Sequence, residues 1–412
     1  MNVDIEVVKV MKDYRFSYKL KEYSIPTAPK ETMVEKGRLR INTRKSKMVL
    51  FDVGQDQLTH KAYYLNKQFK KTGLSTVYFA TDRYGIGIEN EIKEKIDVVR
   101  LTYNSFVDWK NYIKKIKTEK PMHIEFYLGL RTWDLFFYVL YAKVKRIPIF
   151  VKCRGGEILN WKTHSLHRKI ANMFALRSAN LISLRELYMP KYFIDYNIAK
   201  LDHVVFVHNA VPVPDKKTVK FSNRILYLNS LKKFRNPLRL IEIAEELKKR
   251  DIDFNMDVVG FTEGNLKAYE TDKLELEFKK RIKEKKLDDI IKCYTFTNDT
   301  HTFFEQSSIF ILPTDLVYCN NALLEAMSYE CVPIVNGGDG AELIIDDNIS
   351  GFITSESIIA MADKIEYLIK NPEQRIRMGM NSKEKIIKEY NVENQEKVML
   401  GFYEQFLWRH KK

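Results

Sequence analysis

Short apolar runs alternate with amphipathic stretches along most of the chain. The stretches between the runs, such as residues 60–73, 105–118 and 132–146, are predicted to form helices. The runs have the length of strands, and in the first half of the chain they cover residues 48–53, 76–81, 96–102, 122–127 and 147–153. Because strands that alternate with helices indicate parallel sheets, this pattern predicts an α/β fold built from doubly wound sheets.

The second half of the chain repeats the alternation, with strands predicted at residues 224–230, 254–261 and 290–299. The stretch after the first of these strands has an apolar face typical of a helix. Asn236 is predicted to cap that helix, and Pro237 to lie in its first turn. The second half is therefore expected to form a second Rossmann-like sheet with its own core.

A basic loop precedes the predicted helix, and it contains Lys232, Lys233 and Arg235. A helix N-terminus offers unpaired amides and a positive dipole end, and nearby cations add charge-assisted hydrogen bonds. The loop is therefore a candidate diphosphate site. A solvated basic loop without a ligand is the alternative.

Composition limits the class of protein. The 412 residues are enough for two domains with separate cores, and 45% hydrophobic with 30% charged residues indicates a globular chain. The longest apolar run, residues 135–142, is far shorter than the roughly 20 residues that cross a bilayer. Since the N-terminus also has no signal-peptide apolar region, a cytoplasmic location is expected.

The net charge of +15 raises the question of a polyanionic partner. The lysines are spread over the whole chain and mixed with glutamate, and this favours an anionic membrane surface or a diphosphate substrate over nucleic acid. The four cysteines have no CxxC spacing, and the eight histidines form no HxxxH or HExxH pattern. We therefore expect reduced cysteines and no structural zinc.

The stretch from Ile309 to Phe352 holds most of the candidate chemistry, since it contains "LPT", "ALLEAMSYECVPIVNGGDGAELIIDDNISGF" and Glu325. It predicts a strand, a helix that carries Glu325, a second strand and a glycine loop, whose connections meet at the carboxyl ends of parallel strands. A carboxylate among apolar neighbours is costly unless it is paired. Glu325 either accepts hydrogen bonds from ligand hydroxyls, such as those of a ribose, or faces solvent near the positive helix end.

This stretch resembles the signature of retaining nucleotide-sugar glycosyltransferases of family 4, which have the GT-B fold. The resemblance covers most of residues 48–410, with specific motifs from Ile309 onward. It implies that Glu325 holds the donor ribose. The glutamate that contacts the donor sugar in the family falls on Val317, whose side chain accepts no hydrogen bond. Asp315 is the candidate substitute.

The resemblance also assigns roles to residues elsewhere in the chain. In catalysis, Lys233 and Arg235, with Lys232, would neutralise charge on the departing diphosphate, and Glu325 would hold the donor in register. The resemblance also implies that the reaction needs no metal ion and no cofactor. Gly54, after the first strand, and Arg154, after the fifth, would face the acceptor; their alternatives are a tight turn and a surface salt bridge to Glu157. Further donor contacts fall on Lys232, Thr295, Asn320, Asn321, Ala322 and Gly338. A plain strand-to-helix turn is the alternative for the loop of Gly338.

The predicted organisation is GT-B, with two Rossmann-like doubly wound domains that face a central cleft. Residues 1–46 form an extension, 47–215 the acceptor domain, 216–390 the donor domain, and 391–412 a helix that returns to the first domain.

The reaction that the resemblance implies is transfer of a hexose, with retention, from a nucleoside-diphosphate sugar to a glycan or lipid-linked acceptor in surface polysaccharide or glycan assembly. A catalytically silent relative that binds a sugar nucleotide or a partner, and a nucleotide-sugar epimerase, are the alternatives.

Overall fold

A computed structural model describes two compact units of the protein. One contains the described residues between 24 and 208 together with 392–408, and the other contains those between 209 and 391. The sequence-based boundaries, after residues 46, 215 and 390, stay predictions. The described residues are 24–26, 48–55, 74–80, 97–102, 104–153, 158, 161–215, 223–262, 272–297, 299–314, 317, 320–337 and 340–408.

The N-terminal unit is built on a parallel sheet with the strand order β3-β2-β1-β4-β5-β6-β7. Its central strands are almost fully buried, which explains why they read as continuous apolar runs rather than as alternating ones. Its strands are β1 Met48–Gln55, β2 Leu74–Ala80, β3 Asp97–Arg100, β4 His123–Tyr127, β5 Ile149–Lys152, β6 Leu181–Leu184 and β7 Val204–Phe206.

The helices that join these strands include α1 Ser105–Glu119, α2 Thr132–Val144, α3 Leu166–Ser178 and α4 Met189–Asp195. Asn104 caps α1, because its side-chain oxygen accepts from the amides of Phe106 and Val107. Helices α1 and α2 lie in the stretches between apolar runs where the sequence predicts helices. The helix predicted over residues 60–73 lies outside the described residues.

The C-terminal segment packs against the sheet of the N-terminal unit. Helix α12, Val392–Phe402, and the π-helical turn Tyr403–Leu407 contribute Met399, Phe402 and Tyr403 to a core with side chains from β2, β5, β6 and β7. The Gln395 side chain donates to the His208 carbonyl of the same unit. Of the predicted N-terminal extension, Ile25 is buried, and the Phe206 amide of β7 donates to the Pro26 carbonyl at 3.0 Å.

A buried polar cluster lies beneath this segment, on β4 and β5. The Glu125 carboxylate accepts a hydrogen bond from the Tyr403 hydroxyl and forms an ion pair with Lys152. Its Oε1 lies 3.0 Å from His123 Nε2. Burial alone would raise the pKa of Glu125, but the Lys152 ammonium and the His123 ring outweigh burial and lower it well below the ordinary value. Trp408 Nε1 lies 3.3 Å from His123 Nδ1 and extends the cluster.

The C-terminal unit has a second parallel sheet, in the order β10-β9-β8-β11-β12-β13. Its strands are β8 Arg224–Leu228, β9 Asn255–Phe261, β10 Ile291–Thr295, β11 Ile309–Leu312, β12 Val332–Asn336 and β13 Phe352–Thr354. Its helices include α5 Arg239–Lys249, α6 Asp272–Glu284, α7 His301–Gln306, α8 Asn321–Ser328, α9 Ala341–Ile344, α10 Ile358–Lys370 and α11 Pro372–Lys385. The strand order changes direction at β8 and β11, and open α/β sheets bind ligands at such a point.

Three further features concern the described residues as a set. No helix among them is long and apolar enough to cross a membrane. No group of three histidine, cysteine, aspartate or glutamate side chains within the described ranges is arranged to hold a metal ion. Cys153, Cys293 and Cys331 form no disulfide bond within the described residues, and Cys319 lies outside them.

Candidate functional site

Helix α8 follows β11 in the chain, after residues 313–320, and it positions Glu325. The Asn320 side chain caps the helix by accepting from the Leu323 amide at 3.1 Å. On α8 only Asn321 and Glu325 retain appreciable exposure, and they lie one turn apart on the same face. The remaining residues of the helix, including Ala322, are buried in the core. The apolar residues thus hold the helix in place, and Glu325 is its one ionisable side chain.

The Glu325 carboxylate is largely shielded from water. The side chain is half-buried, and among the described residues none forms a hydrogen bond or ion pair with it. Burial raises the pKa of Glu325 to about 7, because the charged form loses hydration that no cation of the described residues replaces. A polar group in this state is prepared to accept hydrogen bonds from a ligand.

The basic loop follows β8, which is the strand next to β11 in the sheet. It contains a 3₁₀ turn at Lys233–Arg235, and it is tied to the end of β11 by two hydrogen bonds. Asn236 Nδ2 donates to the Pro313 carbonyl at 3.1 Å, and the Thr314 hydroxyl donates to the Phe234 carbonyl at 3.2 Å. The loop and the segment that leads into α8 are therefore held next to each other.

Asn236 does not cap the helix as predicted. Helix α5 begins at Arg239, and Asn236 adopts a left-handed conformation with φ of 51° at the end of the 3₁₀ turn. Its side-chain amide donates to the Pro313 carbonyl. Asparagine tolerates this conformation, so Asn236 forms a turn and links the loop to Pro313 instead of capping α5.

The three cations of the loop differ in their surroundings. Arg235 Nη1 donates to the Ser230 carbonyl at 3.1 Å, and its guanidinium lies 5.4 Å from the centre of the Phe234 ring. Lys232 is half-buried, whereas Lys233 is exposed. Arg235 is therefore held in one orientation, as a positioned cation must be, while Lys233 extends into solvent.

Val317 is fully buried, so the position of the family's sugar-contacting glutamate belongs to the core of this unit. Its carbonyl lies 3.4 Å from the Asn320 amide at the start of α8. A glutamate at this position would bury a charge at considerable cost. Asp315, the candidate substitute, lies outside the described residues.

The glycine loop follows β12, which lies on the other side of β11 from β8. The Gly337 amide donates to the Thr354 carbonyl at 2.7 Å, and Gly340 has φ of 75° before α9. Gly338 lies outside the described residues. Asn336, the last residue of β12, is buried, and neither of its amide atoms has a partner among the described residues.

Sequence reasoning missed Asn336 as a candidate site residue. A buried side-chain amide without partners is rare, and at the carboxyl end of a strand it is positioned to contact a ligand. The signal in the sequence was an asparagine that ends an apolar run directly before a glycine pair.

The other predicted residues lie further apart. Thr295 is exposed at the end of β10, which is the edge strand and is separated from β8 by β9. Gly54 belongs to the N-terminal unit, and it lies within β1 at a register shift rather than in the loop after the strand. A bulge favours glycine there, which corrects the predicted loop position. Arg154 lies outside the described residues.

Residues 214–385 match the family model described as "Glycosyl transferases group 1", and this range contains the whole arrangement around Glu325. A Haemophilus influenzae protein, named as an uncharacterized glycosyltransferase, is 26% identical over 204 residues, which are 46% of this chain and 55% of that relative. The match thus spans about half the length of the curated relative. The similarity of the chain is therefore to glycosyltransferases.

Solved structures of glycosyltransferases share the fold. One from Rickettsia africae has a TM-score of 0.67 and 16% identity, over 88% of this chain and 99% of that chain. Anabaena HepE, solved in complex with UDP, has a TM-score of 0.67 and 13% identity, over 85% and 98%. The predicted fold class, GT-B with two Rossmann-like domains, is confirmed.

Proposed function

We propose that the chain is a glycosyltransferase that moves a sugar from a nucleoside-diphosphate sugar to a glycan or lipid-linked acceptor. The observation that carries the proposal is Glu325, a shielded carboxylate without a partner among the described residues. It lies at the point of the sheet where nucleotides bind in open α/β folds. The family match over residues 214–385 and the UDP complex of Anabaena HepE support a nucleotide-sugar donor.

The proposed roles follow from charge and geometry. Glu325 accepts from the vicinal hydroxyls of the ribose, and a nucleotide that supplies these hydrogen bonds relieves an unpaired polar group. Lys233 and Arg235 lie in a loop before α5, and they stabilise the negative charge that develops on the leaving diphosphate. No metal ion or cofactor is part of the proposal.

The finer features are inferred from the resemblance. They are retention at the anomeric carbon, a hexose as the transferred sugar, and a place in surface polysaccharide or glycan assembly. The donor contacts proposed for Thr295, Asn320, Asn321, Ala322 and Gly338, and the acceptor contacts proposed for Gly54, Arg154 and Asp315, belong to the same set.

A second candidate is a catalytically silent relative that binds a sugar nucleotide, and the fully buried Val317 favours it. Without a glutamate at this position, the donor sugar loses a contact that the family uses. An epimerase of the same fold is the third candidate.

One experiment separates these functions. The chain is incubated with a panel of nucleoside-diphosphate sugars, with and without glycan and lipid-linked acceptors, and products are followed by NMR. A glycosyltransferase releases nucleoside diphosphate and forms a glycosylated product. The anomeric configuration of the product equals that of the donor if the reaction is retaining, and an inverted configuration would overturn retention alone. An epimerised donor identifies the epimerase. Binding without any turnover across the panel identifies the silent relative. The absence of both binding and turnover would overturn the proposal.

A further inference from the structure

Three helices of the N-terminal unit, α1, α2 and α3, form a layer on one face of its sheet. They connect β3 to β4, β4 to β5 and β5 to β6, and right-handed crossovers in one direction place such helices on the same face. Helix α2 contacts both α1 and α3, so it lies in the middle of the layer. Each helix joins two parallel strands, and the three helices therefore run in the same direction.

The outer face of α2 is apolar, although it faces solvent. Its inner face packs Leu135, Tyr138, Val139 and Ala142 into the core. The opposite face presents a stripe of residues that are between 37% and 68% exposed: Trp133, Phe137, Leu140 and Val144. A helix that is apolar on all sides is usually buried in a protein core or in a membrane. The outer stripe of α2 is instead exposed. The exposed stripe therefore marks a binding surface.

The neighbouring helices extend this apolar surface at their N-terminal ends. Phe106 of α1 is 75% exposed, and Leu166 of α3 is 74% exposed. The Trp133 ring stacks on His167 of α3 with centroids 6.4 Å apart, and Phe137 lies 6.5 Å from Trp109 of α1. The apolar side chains of the three helices are thus continuous.

Exposed charge on the layer has one sign. Along the outer face of α1, Phe106 is followed at helical spacing by Lys110, Lys114 and Lys117, and α3 has Arg177 in its last turn. Helix α2 has Lys143 in its last turn and is followed by two more exposed cations, Lys145 and Arg146. The exposed cations of the layer therefore lie mostly towards the C-terminal ends of the helices, where Val144 is also exposed.

The acidic side chains of the layer are buried or paired. Asp108 is buried and accepts from Arg131 Nη2 at 2.7 Å and from the Thr102 amide at 2.7 Å. Asp134 is also buried and pairs with Arg131. Glu119 lies 3.3 Å from Lys115 Nζ. No carboxylate is exposed on these three helices, so the exposed charges of their outer surface are all positive.

We propose that the outer face of α1, α2 and α3 docks on a membrane that carries anionic lipids. The aromatic and aliphatic side chains enter the boundary between headgroups and acyl chains, and the lysines and arginines contact the phosphates. The charge of the layer complements an anionic bilayer, and each cation near such a surface adds to the attraction. The proposal is independent of the nucleotide site, because it involves only residues of the N-terminal unit.

Vesicle binding tests the proposal on the full chain. We expect the protein to sediment with vesicles of phosphatidylcholine and phosphatidylglycerol at low salt, and at least tenfold less with phosphatidylcholine alone. Trp133 is the most exposed of the four tryptophans, so its emission shifts to the blue on binding. The shift is expected to disappear in Trp133→Phe, which keeps an apolar ring but lacks the indole.

Two sets of variants separate the apolar and charged contributions. The double variant Phe137→Ser with Val144→Ser removes exposed apolar groups and is expected to bind at least tenfold more weakly with an unchanged melting temperature. Lys110→Glu with Lys114→Glu should weaken binding similarly. The matched control is Ile359→Ser, since Ile359 is 58% exposed on α10 of the other unit. It should bind like the unaltered chain.

Several outcomes would overturn the proposal. They are an absence of sedimentation with anionic vesicles, equal binding by the double serine variant, or binding without a blue shift of Trp133. Dimerisation that depends on Phe137 and Val144, measured by light scattering without lipid, would assign the face to a second copy of the chain. A chain that lacks residues 1–46 can also be compared with the full chain. If Phe137 and Val144 become more accessible in the shorter chain, the face would be assigned to that N-terminal segment.

Discussion

Two carboxylates, one in each unit, are shielded from water, but only one of them is paired with other side chains of the described residues. Glu125 lies beneath the C-terminal segment and is paired with Lys152, His123 and Tyr403, which hold its pKa well below the ordinary value. Glu325 has no partner among the described residues, and burial raises its pKa to about 7.

The difference shows what each carboxylate does. A satisfied buried carboxylate contributes to folding, because removal of any partner leaves a charge uncompensated. An unsatisfied one costs stability in the free protein, and proteins retain such groups where a ligand completes their hydrogen bonds. We therefore interpret Glu125 as a structural residue that fastens the C-terminal segment and Glu325 as a binding residue.

The largest expected effect is on folding. Glu125→Gln leaves the buried Lys152 ammonium without its counter-charge, and we expect the free energy of unfolding to fall by about 3–5 kcal/mol. Urea denaturation followed by circular dichroism measures this loss. The matched control is Glu119→Gln, which removes a partly exposed partner of Lys115 and should cost less than about 1 kcal/mol. Equal losses of stability in the two variants would show that the buried Glu125 contributes no more to folding than the partly exposed Glu119.

The second effect is on turnover. Arg235→Ala removes a positioned cation from the loop after β8, and we expect kcat to fall about a hundredfold, as for a lost electrostatic contact to a transition state. Steady-state kinetics with the donor found in the panel measures it, and a thermal melt shows whether folding is intact. Arg377→Ala, an exposed arginine on α11, is the control. A lower melting temperature with normal kcat would reassign Arg235 to structure.

The third effect is the pH dependence of stability, and it should have opposite signs for the two carboxylates. Burial raises the folded pKa of Glu325 above its ordinary 4.5 to about 7, so the folded protein binds the proton more tightly than the unfolded chain. The resulting stability is fully present below pH 4.5 and is lost as pH rises through about 7. For Glu125 the pKa is lowered, so its stability is present at neutral pH and is lost on acidification below 4.5.

Glu325→Gln isolates the pH dependence of Glu325. At pH 8 the variant should be more stable than the unaltered chain by about 2 kcal/mol, after allowance for its partial exposure, and the difference should vanish near pH 4. Denaturation at a series of pH values measures both points. A variant that is less stable at pH 8 would show that the carboxylate has a partner in the folded protein.

Much of the fold was predictable because local pattern and tertiary structure agree. The apolar runs at residues 122–127 and 309–312 became buried strands, and the helical period at 105–118 became α1. Glu325 was identifiable because a carboxylate on an otherwise apolar helix has few explanations.

The remaining features depend on contacts that no local pattern contains. The bond between Glu125 and Tyr403 joins residues that are 278 positions apart. The left-handed turn at Asn236 depends on a tether to Pro313, and the unpaired amide of Asn336 is recognisable only once its burial is known. The exposed face of α2 reads as core from its composition, because the sequence does not say which apolar faces remain uncovered.

The most direct test of the central claim is calorimetry of nucleoside-diphosphate binding to Glu325→Ala. The matched control is Glu305→Ala, which removes an exposed carboxylate from α7 of the same unit. We predict that Glu325→Ala binds at least tenfold more weakly, a loss of about 1.4 kcal/mol or more, while the control binds like the unaltered chain. Unchanged affinity in a folded Glu325→Ala variant would contradict the role of Glu325 in holding the nucleotide.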